Sequence, residues 1–73
     1  MTVIEHRTSV CNRLSTAGFS KLAARVMTES HPDMLSYYAD GLRCGNGELA
    51  DELRGYAVEL HRARERGDFA RRY

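Results

Sequence analysis

Five arginines fall within the last thirteen residues, "HRARERGDFARRY": Arg62, Arg64, Arg66, Arg71 and Arg72, against Glu65 and Asp68. Arginine presents a planar fork of donors that binds a carboxylate or a phosphate through two parallel hydrogen bonds. The chemistry on offer is therefore anion recognition. Phe69 and Tyr73 stand among these arginines. Arg mixed with aromatic residues is enriched at protein interfaces, and the same mixture stacks on bases. The alternative is a solvated tail with no partner.

Residues suited to bond-making chemistry are scattered. His6, His31 and His61 lie far apart, and Ser9, Ser15, Ser20, Ser30 and Ser36 occur in no nucleophile-elbow pattern. Glu48, Asp51, Glu52 and Glu59 lack the Glu-x-x-His pairs of di-metal bundles, so they are expected to form a solvated acidic face. "GLRCGNG" is rich in glycine, but no Gly-Lys-Ser or Gly-Lys-Thr follows, which makes it a turn and not a phosphate cradle. Cys11 and Cys44 form no Cys-x-x-Cys and are expected to be reduced structural thiols. The expectation is a chain with no catalytic centre, no metal and no cofactor.

A net charge of +1 hides an arrangement. Residues 1–27 carry Arg7, Arg13, Lys21 and Arg25 against Glu5. Residues 28–59 carry seven acids against Arg43 and Arg54, and residues 61–73 are basic again. Both ends are positive and the middle is negative, which bears on partners and not on fold. No apolar run approaches the ~20 residues that span a bilayer. Glu5, His6 and Arg7 interrupt the first segment where a leader would be apolar. A soluble, intracellular domain is expected.

The elements that must hold these residues read as helices. "MTVIEHRT", with Val3, Ile4 and Arg7, reads as an arm, although Thr2 and Glu5 have capping-box spacing. A first helix is expected from Ser9, with Val10, Leu14 and Ala17 in phase and Gly18 as its stop. A second starts with Ser20 as cap and carries Leu22, Ala23, Val26 and Met27 on one face. "SHPDMLSYYADG" predicts a third, capped at Ser30, with Met34, Leu35 and Tyr38 inward and Gly41 as its end. The last helix is predicted from Gly47 to Arg66, with Asn46 as cap. Leu49, Leu53, Tyr56, Leu60 and Ala63 recur at spacings of 4, 3, 4, 3, a heptad seam too short for a coiled coil. In a monomer it is expected to pack on helices two and three, with homodimerisation as the alternative, and Gly55 suggests a close crossing. The whole is a single all-α domain: an arm over 1–8, a body of three to four short helices over 9–66 and a basic tail over 67–73.

The first two helices also suggest a helix-turn-helix, but the would-be reading helix offers only Lys21, Arg25, Thr28 and Glu29, and the sequence pI of 7.8 is low for a DNA-binding domain.

In length, in the apolar-then-basic start "MTVIEHR", in its compact helical middle and in the tail "HRARERGDFARRY", the chain resembles the small transcription regulators of lytic phages that bind host bacterial RNA polymerase. The resemblance implies a non-enzymatic protein of the host bacterial cytoplasm. It implies contacts to the N-terminal segment of the β′ subunit and to the β subunit near its flap. It also implies displacement of sigma factor, inhibition of initiation, and antitermination beside the RNA exit channel, with nascent RNA or DNA close by. On that footing Val3, Ile4, Arg7, Arg62, Arg64, Arg66, Phe69, Arg71, Arg72 and Tyr73 are the expected partner-binding residues. The alternatives are another phage-encoded inhibitor, such as an anti-CRISPR protein, and a small nucleic-acid-binding module.

Overall fold

Thr2 and Glu5 decide where the chain first becomes helical. The Thr2 hydroxyl accepts from the Glu5 amide at 3.1 Å, and the Glu5 carboxylate accepts from the Thr2 amide at 3.0 Å. This reciprocal pair satisfies two donors that a helix start leaves unmade. Helix α1 therefore spans Val3–Thr16. The expected arm is not separate from the body: residues 3–8 are the first turns of α1, with the capping box as the physical reason. The structure, a computed structural model, describes residues 2–42 and 45–66. It contains three further helices, α2 (Ser20–Thr28), α3 (Pro32–Leu42) and α4 (Gly47–Glu65). There is no strand among the described residues. The protein is a small all-α bundle.

The same carboxylate gives α1 a pH dependence. Hydrogen bonds from the Thr2 amide and hydroxyl hold Glu5 below the ordinary carboxylate range. A depressed folded pKa stabilises above the unfolded value of about 4.3 and loses that contribution as pH falls through the lower folded value. Relative to its intrinsic rate, amide exchange over the first turn of α1 is thus expected to accelerate as pH falls below the ordinary carboxylate range. In a Glu5→Gln variant that acid-induced acceleration should disappear. Exchange that responds to acid equally in both proteins would count against the cap.

Gly18 turns the chain between α1 and α2. Its φ is +95°, a left-handed value open to glycine at little cost. The Phe19 amide reaches the Leu14 carbonyl at 2.8 Å and the Gly18 amide reaches the Ser15 carbonyl at 3.1 Å. These are the two bonds of a Schellman ending, and its apolar clasp is present too, because Phe19 packs against the core that contains Leu14. This geometry places Phe19, and not Ser20, at the α2 cap position, with no side-chain hydrogen bond.

One core joins the helices. Val10, Cys11 and Leu14 of α1, Ala23 and Val26 of α2, Leu35, Ala39 and Leu42 of α3, and Ala50, Leu53, Tyr56, Ala57 and Leu60 of α4 form a single buried cluster. The α4 seam lies inside it, packed on α3 as expected but on α1 in place of α2, with Leu49 at the margin and Ala63 also buried. On α3 the expected stripe shifts. Leu35 is buried, but Met34 is 40% exposed and Ala39 and Leu42 take the inward places. Gly41 does not end α3. Glycine in a helix costs roughly 1 kcal/mol, whereas burying a leucine gains about 1.5–3 kcal/mol, so seating Leu42 carries the helix past it.

Two anchors show that α3 runs antiparallel to α4: Asp40 pairs with Arg54, and Ser30 is held by Arg64. Two more show α1 antiparallel to α4. Arg13 pairs with Glu52, and His6 stands edge-on to Tyr56 with ring centroids 5.7 Å apart. Exposed ion pairs of this kind contribute little stability, but they report register.

The His6 contact is where Gly55 was expected to permit a close crossing. A methyl group at Gly55 would meet only His6 Cε1, at 3.7 Å, an ordinary van der Waals distance. The crossing therefore does not require glycine. Gly55→Ala is expected to raise stability by up to ~1 kcal/mol through helix propensity, as read in urea unfolding. A loss of stability would mean that α1 lies closer to α4 than this.

Candidate interaction surface

Antiparallel packing brings the N-termini of α1 and α3 to the same end of the bundle as the C-terminus of α4. Their dipoles oppose favourably there. That end gathers the expected residues that fall among those described: Val3, Ile4, Arg7, Arg62, Arg64 and Arg66. Phe69, Arg71, Arg72 and Tyr73 lie outside the described residues.

The three α4 arginines have different environments. Residues four apart share a helix face, so Val58, Arg62 and Arg66 follow one stripe, and Arg64 points some 200° away from Arg62 at ~100° per residue. Val58 is 50% exposed, and Arg62 and Arg66 are exposed with it. The Arg62 side chain makes no hydrogen bond or ion pair among the described residues. Arg64 turns toward α3, donating to the Ser30 carbonyl at 2.9 Å and meeting His31 Nδ1 at 3.1 Å. It closes the end of the bundle and is only partly available to a partner. His61 pairs with Glu65 at 3.0 Å one turn along. His31, Pro32, Asp33, His61, Arg64 and Glu65 line a shallow cleft of about 450 Å³.

The α1 residues divide in the same way. Val3 packs against the core, and Ile4 is 51% exposed. Arg7 is partly buried, and its Nε is buried without a hydrogen-bond partner among the described residues. Ile4 lies about 200° around α1 from His6, the residue that faces α4. Ile4 and Arg62 thus share an end of the molecule but not a face.

Nor is this end uniformly basic. Glu5, Glu29, Asp33, Glu59 and Glu65 alternate with the four arginines. Glu29 is occupied, accepting from the His31 amide at 3.2 Å and from the Tyr38 hydroxyl at 3.3 Å. The result is a mixed surface, better matched to a protein face of both signs than to a phosphate backbone.

Cys11 is inert in this setting. It is buried, and its thiol lies 3.5 Å from the Ala23 carbonyl. Burial pushes its pKa up, which suppresses the thiolate. It is a free thiol, as expected; Cys44 lies outside the described residues. Among the described residues no three His, Cys, Asp or Glu side chains are grouped to hold a metal ion, and no helix is long and apolar enough to cross a membrane.

Sequence reasoning missed the outward face of α3. Tyr37 is 70% exposed beside the exposed Met34. The signal was present: Met34, Tyr37, Tyr38 and Gly41 are spaced at helical intervals and fall on the flank of α3 away from Leu35 and Ala39. Comparison with protein-family models, with curated proteins and with solved structures gives no significant match.

Proposed function

We propose that this chain is a non-enzymatic, phage-type regulator that binds host bacterial RNA polymerase. In this reading it engages the β′ N-terminal segment and the β subunit, displaces sigma factor to inhibit initiation, and acts during elongation as an antiterminator. The observation that carries the reading is the outward stripe of α4. Val58 and Arg62 stand exposed on a rigid helix, and Arg62 has no partner within the described chain. An apolar contact beside a free guanidinium is the composition of an interface anchor. The resemblance of the whole layout to phage regulators of polymerase supports the choice of partner. The mixed charge of the same end favours a protein face over nucleic acid as the primary contact, with RNA or DNA as a neighbour in the complex.

The test is functional. Added to sigma-loaded polymerase before promoter engagement, the chain should lower the fraction of labelled sigma retained on the enzyme. Added after promoter escape, it should raise read-through at a terminator. Full sigma retention together with unchanged termination would contradict the reading.

A further inference from the structure

α2 packs on α1 and α3 packs on α4, but α2 and α3 meet only sparsely. Between them lies an open groove of about 530 Å³, on a different face from the α4 stripe. Phe19, Leu22, Leu42, Tyr38 and the exposed Tyr37 line it, together with Asp40. The volume falls within the ~300–1,000 Å³ typical of binding sites. The two rings lie 6.1 Å apart and tilted by 59°.

Charge defines what fits. Asp40 is already bound by Arg54, and Glu29, at the end of α2, accepts from the Tyr38 hydroxyl and the His31 amide. Lys21 and Arg25 are different. They sit one turn apart on the exposed side of α2, with Arg25 three residues on from Leu22, and neither side chain has a hydrogen bond or ion pair among the described residues. α2 itself carries no acidic residue. The groove is thus apolar and aromatic inside, and the uncommitted charge on its α2 flank is positive.

We infer that the α2–α3 groove is a docking site for an amphipathic helical segment of a partner protein, one that buries apolar side chains against Leu22, Tyr37 and Tyr38 and presents carboxylates to Lys21 and Arg25. A helix laid in a groove is held by apolar anchors three or four residues apart, with charge fixing its orientation. Two cations beside Asp40 and Glu29 make a poor track for a phosphate backbone, which needs many paired charges. The inference concerns a face remote from Arg62 and stands whether or not the partner is polymerase.

The test uses the full chain, isotopically labelled, and three probes: a synthetic amphipathic helical peptide with a leucine stripe flanked by glutamates, the same peptide with lysines for glutamates, and oligothymidylate. The glutamate peptide should bind saturably and shift the amide resonances of Leu22, Tyr37 and Tyr38, while the lysine peptide should bind at least about tenfold more weakly. Lys21→Glu with Arg25→Glu, and separately Tyr37→Ala, should each weaken the glutamate peptide by about tenfold. All three positions are exposed, so unchanged circular dichroism verifies that the fold survives. Equal binding of the two peptides, no binding of either, or shifts confined to another face would overturn the inference. Oligothymidylate shifting the groove resonances more strongly than the peptide would assign the site to nucleic acid instead. Concentration-dependent self-association that broadens those resonances without any probe would assign it to a second copy.

Discussion

Leu60→Ala is expected to cost about 3 kcal/mol, within the ~2–5 kcal/mol range for truncating a buried leucine, and so to leave a substantial unfolded population under mild denaturant. Leu60 is fully buried within the cluster that joins all four helices. A chain of 73 residues has roughly 4–11 kcal/mol of stability in total, so one such deletion removes a large share. In so small a domain no second core can compensate. The check is urea unfolding followed by helical circular dichroism, where the midpoint should fall with little change in slope. Val58→Ala, on the exposed side of the same helix, should change stability by no more than about 0.5 kcal/mol. Equal losses at the two positions would mean that α4 does not bury the face described.

Arg62→Glu combined with Arg66→Glu is expected to weaken binding to RNA polymerase by at least about tenfold, or roughly 1.4 kcal/mol, while leaving the urea midpoint nearly unchanged. The split follows from where each arginine points. Arg62 has no partner within the described chain, and the Val58–Arg62–Arg66 stripe faces solvent. Arg64→Ser should do the opposite: lower stability, because the Ser30 carbonyl and His31 lose their contact, with a smaller direct effect on binding. If Arg64 carried the larger binding effect with stability intact, the partner would lie over the α3–α4 cleft instead.

The helices were legible because their signals are local. The α4 seam of Leu53, Tyr56, Leu60 and Ala63 sits at heptad spacing, and Gly18 stands where the left-handed turn is needed. What the sequence concealed were contests between a local signal and a distant one. Gly41 looked like a stop, but the core place for Leu42 lies beyond it. The Thr2–Glu5 spacing looked too slight to nucleate a helix, but Val3 has a core to pack against. The candidate site was legible in composition and not in arrangement. Alternating arginines announce anion recognition, but only the position of α3 shows that Arg64 is engaged and Arg62 is free among the described residues. The α2–α3 groove depends on two helices that are not strongly paired, which no spacing within either helix reveals.

The central claim is that a small helical body presents the outward stripe of α4 to host RNA polymerase. Its most direct test is an equilibrium titration of the labelled chain with purified bacterial RNA polymerase, run beside the Arg62→Glu, Arg66→Glu variant. The account predicts saturable binding by the natural chain and a dissociation constant at least about tenfold higher for the variant. Absence of saturable binding, or identical affinities for the two, would contradict it.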